Sequence, residues 1–150
     1  MQRGIKSARP RASGRGNDSS TARAISVLRV AVALEFLGHG FYALTVKPAW
    51  VPFVTVFGFS AEAAPTLMRA VGVLDWLLAL CLLVRPLGPL LLWMTFWGFF
   101  TATLRPITGD SLFEFIERGP NWGAPLALFL LVRAHEKALR QQPAEAQASP

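Results

Sequence analysis

The chain has 150 residues, the length of one ordinary domain. Hydrophobic residues make up 53% of it and charged residues only 16%, whereas an average soluble domain has about 25% charged residues. The charge crowds into the two ends and a few short joints, which leaves long apolar runs typical of a membrane protein. The single cysteine, Cys81, excludes an intrachain disulfide, a CxxC redox site and a cysteine-rich zinc site.

Residues 1–23 and 140–150 are polar and lack an apolar period, so we expect two disordered tails, the first of them basic. The domain between them, residues 24–139, carries four candidate membrane spans, since a helix needs about 20 mainly apolar residues to cross a bilayer. The fourth span has a short apolar core and crosses only if Arg133 snorkels to the interface. The four spans are expected at about 24–46, 66–84, 87–104 and 120–139.

The segments that connect the spans predict how the spans are arranged. Arg85-Pro86 predicts a tight turn that makes the second and third spans antiparallel neighbours. The first joint, residues 47–65, is apolar, aromatic and rich in proline, so it is expected to lie along the membrane interface or to cap the helices. The third joint is amphipathic and predicts a short surface helix that ends at Gly119-Pro120.

The distribution of Lys and Arg predicts the orientation. If the N-terminus lies inside, eleven of the fifteen Lys and Arg residues fall on the inner side and four on the outer side. Positive residues prefer the cytoplasmic side, so both termini are expected in the cytoplasm. This bias accounts for the net charge of +6 without nucleic acid as a partner. The predicted fold class is all-α, an integral membrane four-helix bundle that interacts with membrane lipids.

Polar residues inside the apolar runs predict a binding pocket. Glu35 and His39 are four residues apart and share one helical face, and Asp75 lies near the middle of the second span. A charged side chain at the centre of a membrane helix costs about 2.5–3.5 kcal/mol, so such residues are usually functional. We therefore predict one polar pocket, open to the outside, formed by Glu35, His39, Tyr42, Arg69, Asp75, Thr101 and Arg105.

A structural interpretation of the same residues stays open. Intramembrane polar groups often hold helices together, at about 0.6–2 kcal/mol per hydrogen bond. No metal site is expected, because the E-x-x-x-H spacing of Glu35 and His39 is weak evidence and His135 lies in the C-terminal segment. The sequence contains no Walker loop, Rossmann glycine motif, G-x-S-x-G elbow or HExxH motif, and no catalytic residue is assigned.

The basic tail, the first span with "LRVAVALEFLGHGFYAL" and the Arg-Pro joint resemble the DoxX-like family of small bacterial membrane proteins. The resemblance covers about residues 24–134, and Arg29 and His39-Gly40 are its most characteristic points. It implies a compact four-helix domain, multi-pass in the bacterial cytoplasmic (inner) membrane. Some members of that family are linked to quinone-dependent sulfur oxidation as a membrane subunit beside other chains. The segment Phe113–Pro125 matches no general family pattern.

Three functions remain open. The first is an accessory redox or quinone-interacting subunit, with quinone as the cofactor and a redox enzyme as the partner; His39 and Tyr42 would donate hydrogen bonds, and Glu35 or Asp75 would relay protons. The second is a non-enzymatic membrane scaffold or assembly factor, in which the polar cluster fixes helix register. The third and weakest is a carrier for protons or a small solute; four short helices are few for alternating access, although a homo-oligomer such as a dimer could suffice.

Overall fold

The computed structural model of the protein describes the backbone of residues 13–147 and the side chains of residues 19–141. The regular structure of this part of the chain is entirely helical, which confirms the all-α prediction. A single 3-10 turn, Pro48–Trp50, precedes the second helix. The α-helices are α1 (Ser13–Leu44), α2 (Val51–Thr55), α3 (Ala64–Val84), α4 (Gly88–Ile107), α5 (Leu112–Glu117) and α6 (Gly119–Gln147).

Two helices extend into segments whose composition predicts disorder. α1 begins at Ser13, and α6 continues to Gln147. Adding a residue to an existing helix costs far less than starting a new one. The sequence "RQQPAEAQ" at the end of α6 also consists mostly of good helix formers. The outermost parts of the two predicted tails, residues 1–12 and 148–150, lie outside the described residues.

The long helices pack as antiparallel neighbours around an apolar core. α1 packs along α3 and α6, and α4 packs along α6. α3 and α4 are joined by the short connection 85–87 and touch each other much less. The core fills the half of the molecule near this connection; its largest fully buried side chains include Val32, Leu82, Leu91, Met94 and Leu128.

Glycines let the helices approach closely in the other half. A Cβ atom added to Gly72 of α3 would lie 2.7 Å from the carbonyl oxygen of Gly40 on α1. A Cβ added to Gly98 of α4 would collide with the backbone of Asn121 on α6. Only residues without a side chain fit at these two crossings, which is a feature typical of helix packing in membranes.

Within the described residues, two helices are long and apolar enough to cross a membrane: Ser19–Leu44 and Ala64–Val84. α4 and α6 are not apolar enough over a sufficient length to meet the same criterion. α4 contains several threonines, Pro89 and Arg105, and the apolar run of α6 is short and ends at Arg133. The structure thus supports two spans by length and composition.

Candidate functional site

A cavity of about 440 Å³ lies in the half of the molecule opposite the apolar core. α1, α3 and α4 form its walls, while α2 and the α5–α6 junction contribute to its lining. Its volume falls within the range of about 300–1,000 Å³ that is usual for ligand pockets. The lining is mainly apolar and aromatic, including Phe36, Phe53, Leu74, Trp97 and Phe100.

Glu35 and His39 lie on the α1 side of this cavity. Oε1 of Glu35 is 3.9 Å from Nδ1 of His39, one helical turn further along. Their side chains are 21% and 29% exposed, so neither is sealed inside the protein. The ring of Trp50 lies beside His39, with 5.9 Å between ring centroids. An acid and an imidazole therefore stand together on an otherwise apolar wall, because the i, i+4 spacing places them on one helical face.

Asp75 faces the same cavity from α3 and is only 4% exposed. Its Oδ1 atom accepts a hydrogen bond of 3.0 Å from the indole N–H of Trp97 on α4. This bond satisfies one acceptor of a buried carboxyl group and links two helices that otherwise make little contact. The acids of the first and second predicted spans therefore face one shared cavity.

Thr101 and Arg105 line the cavity from α4, one turn apart. The hydroxyl of Thr101 donates to the carbonyl oxygens of Trp97 and Gly98 in its own helix, at 3.0 and 3.2 Å. Nη1 of Arg105 is 3.4 Å from Asp110 and 3.6 Å from Glu114. Arg105 therefore lines the cavity while it is paired with two acids, one in α5 and one just before it.

Two of the predicted pocket residues lie elsewhere. Arg69 is exposed on α3 and lines neither of the cavities described here. Tyr42 is 49% exposed and lies on a smaller neighbouring cavity of about 200 Å³. Both cavities are lined by the same four residues at their common wall: Glu35, His39, Trp50 and Arg118. Tyr42 and Asp75 therefore line different cavities, which meet at this common wall.

The junction of α5 and α6 supplies two site residues that sequence reasoning missed. Arg118, at the C-terminal end of α5, and Asn121, in the first turn of α6, both line the larger cavity. Ser111 begins α5 by accepting a hydrogen bond from the backbone N–H of Phe113. The sequence does show that Arg118 directly precedes the helix break at Gly119-Pro120. The direction of its side chain, however, depends on how the chain turns at that break.

Metal binding has no geometric support among the residues described. No group of three or more His, Cys, Asp and Glu side chains in this part of the chain could hold a metal ion. The site is instead a mainly apolar cavity with a few ionisable and hydrogen-bonding groups, which is the design of a small-molecule binding site.

The fold and the site define an all-helical protein with a polar cluster in an apolar cavity. Comparison with known proteins finds no family model, curated protein or solved structure that matches this chain. The DoxX-like resemblance therefore stays a prediction.

Proposed function

We propose that the chain is a multi-pass protein of the bacterial cytoplasmic membrane, in which α1, α3, α4 and α6 form a four-helix bundle. The outward-facing side chains support this proposal. A helix on the surface of a soluble protein turns charged and polar residues outward, but large apolar residues are exposed on all four helices here. They include Val30 and Leu34, Val73 and Leu80, Leu92 and Phe96, and Leu130, each at least 47% exposed.

The proposed orientation has both termini in the cytoplasm. Arg85 at the α3–α4 connection and Lys137 in the C-terminal half of α6 then lie on the cytoplasmic side, together with most of the other Lys and Arg residues. The cavity, with α2 and α5 beside it, then lies in the outer half of the membrane. In this proposal α4 and α6 cross the membrane as well, because they expose large apolar residues just as α1 and α3 do.

The cavity is proposed to bind a quinone, and the observation that carries this proposal is its lining. The head of a membrane quinone is a flat ring with two carbonyl oxygens, and an apolar tail is attached to this ring. Trp97 and Phe100, whose ring centroids are 5.7 Å apart, offer flat apolar surfaces for the ring. His39 offers a hydrogen bond to a carbonyl oxygen, while Glu35 and Asp75 can hold or pass protons beside it. The residues present therefore fit this class of ligand.

The proposed role is that of an accessory subunit for a redox enzyme. A bound quinone would supply the electron-transfer chemistry. The protein contributes binding, orientation and a proton path along Glu35 and His39. The electrons come from a partner enzyme in the same membrane. The DoxX-like resemblance agrees with such a role, because some members of that family are linked to quinone-dependent oxidation.

The test uses the two histidines as a matched pair. His39 lines the cavity, whereas His135 lies on α6 and lines neither cavity. The protein is purified in mild detergent, and native mass spectrometry and solvent extraction measure the quinone bound per chain. Loss of one hydrogen bond to the ligand lowers affinity by about tenfold. We expect wild type and His135→Ala to retain quinone and His39→Ala to lose most of it. Absence of quinone from the wild type would contradict the proposal.

A scaffold or assembly role is the second candidate, favoured by side-chain hydrogen bonds between helices, one of them at the cavity. Trp97 donates to Asp75, and the indole N–H of Trp76 on α3 donates to the carbonyl oxygen of Leu37 on α1, at 3.1 Å. If this role is the function, Asp75→Leu, which removes the acceptor for the Trp97 N–H, alters stability or partner binding without changing any bound small molecule. The same mass spectra distinguish the two roles, since they report partner chains and ligands together.

A further inference from the structure

Two buried hydrogen-bond donors at the wall between the cavities have no hydrogen-bond partner among the described residues. They are Nε1 of Trp50 and Nε of Arg118, and both residues line the larger and the smaller cavity. One other buried side-chain nitrogen among the described residues shares this condition, Nε1 of Trp122. Trp122 lines neither cavity. Buried polar groups in folded proteins are nearly always hydrogen-bonded, so each exception calls for an explanation.

The side chains around these two donors carry more positive than negative charge, which favours a hydrogen-bond acceptor with partial or full negative charge as their partner. Lys47 and Arg118 line the smaller cavity, and among its described lining residues Glu35 is the only acid. The ammonium of Lys47 lies 4.8 Å from the centroid of the Tyr42 ring and 5.4 Å from that of Trp50. These cation–π contacts hold the positive charge at the mouth of the small cavity. Arg118 makes no ion pair with any described residue.

We propose that Trp50 Nε1 and Arg118 Nε donate hydrogen bonds to oxygen atoms on the head of the ligand, whose apolar body fills the larger cavity. The shared wall makes this arrangement possible, since a head placed there contacts both cavities. This inference rests on the proposed binding function and narrows the ligand to amphiphiles with oxygen acceptors in the head. Quinone carbonyls and the carboxylate of a fatty acid share this chemistry.

Trp50 and Trp122 form a matched pair for the test. Trp50→Phe and Trp122→Phe each remove a buried indole N–H without a partner, but only Trp50 lines the cavities. Arg118→Lys removes Nε while keeping the positive charge; Arg133→Lys, on the exposed surface of α6, is its control. Affinity is measured by isothermal titration calorimetry in detergent, with decylubiquinone and with laurate as probes.

We expect Trp50→Phe and Arg118→Lys to weaken binding of at least one probe by about tenfold each, the usual effect of one lost hydrogen bond. The two controls are expected to bind as the wild type does. Unchanged affinity in Trp50→Phe and Arg118→Lys overturns the inference, as does an equal loss in Trp122→Phe. If Arg118→Lys does not fold, the two tryptophan variants decide.

The outcomes separate this inference from the proposed function. If decylubiquinone binds the wild type and both site variants equally well, the quinone function stands and the donor assignment fails. If laurate alone binds, and the two site variants weaken it, the donor assignment stands and the quinone function fails. If neither probe binds the wild type, both fail.

Discussion

The indole N–H of Trp97 donates a hydrogen bond to Oδ1 of Asp75 over 3.0 Å, and this bond joins α4 to α3. The two helices follow each other in the chain but make few other contacts, because the cavity lies between them. Asp75 therefore has both roles that its position in an apolar helix suggests: it lines the cavity, and it holds two helices together.

A double-mutant cycle on Asp75 and Trp97 measures the structural part of this role. Asp75→Leu leaves the indole N–H of Trp97 without an acceptor, and Trp97→Phe removes the donor. Hydrogen bonds between membrane helices average about 0.6 kcal/mol and reach about 1.7 kcal/mol. We expect a coupling in that range, measured as the free energy of unfolding in mixed micelles. Asp75→Asn keeps an oxygen acceptor and is the control; a coupling near zero would show that the bond does not stabilise the fold.

Gly72 tests the close crossing of α1 and α3. In Gly72→Ala the new Cβ would lie 2.7 Å from the carbonyl oxygen of Gly40 and 2.8 Å from the backbone nitrogen of Leu44, so the helices must separate. Overpacking of this kind costs about 1–3 kcal/mol, and we expect a loss of that size in the free energy of unfolding.

Gly38 is the matched control for this substitution. It lies in α1, and a Cβ added there meets no atom within 4 Å. Alanine forms helix more readily than glycine by about 1 kcal/mol, so Gly38→Ala is expected to be neutral or stabilising. Equal destabilisation by Gly38→Ala and Gly72→Ala would mean that the crossing is not as close as described.

Arg29 of α1 is predicted to stabilise the end of α3. Its Nε donates to the carbonyl oxygen of Leu82 at 2.9 Å, and its Nη2 donates to that of Leu83. The last carbonyls of a helix have no partner within the helix and carry partial negative charge. We expect Arg29→Met to lower the free energy of unfolding by about 1–3 kcal/mol. Arg23→Met, at an exposed position of the same helix, should change it little; a similar loss in both would contradict this role.

Much of the site follows from sequence periodicity. Glu35 and His39 share a face because they are four residues apart, and Thr101 and Arg105 do so for the same reason. Asp75 is recognisable because an acid in the middle of an apolar helix rarely faces lipid. The all-α class follows from the length of the apolar runs, and the structure confirms it.

The remaining features depend on geometry that spacing does not encode. Arg118 reaches the cavity only because the chain turns between α5 and α6, and Trp97 meets Asp75 only in one rotation of α4 against α3. Arg105 pairs with Asp110 and Glu114, which lie near it because α5 folds back beside α4. Arg69 lies between two residues of α3 that line the larger cavity, Met68 and Ala70, yet it is exposed and lines neither cavity.

In the proposed membrane orientation, α3 turns one face to lipid and the opposite face, with Asp75, to the cavity. A nitroxide label at Val73, which is 51% exposed in the middle of α3, tests it in liposomes after Cys81→Ser removes the single native thiol. We predict that electron paramagnetic resonance finds the Val73 label accessible to oxygen and shielded from a water-soluble nickel chelate. A label at Lys137, which is exposed in the C-terminal half of α6, should show the reverse. Strong relaxation of the Val73 label by the chelate would place this face of α3 in water and contradict the account.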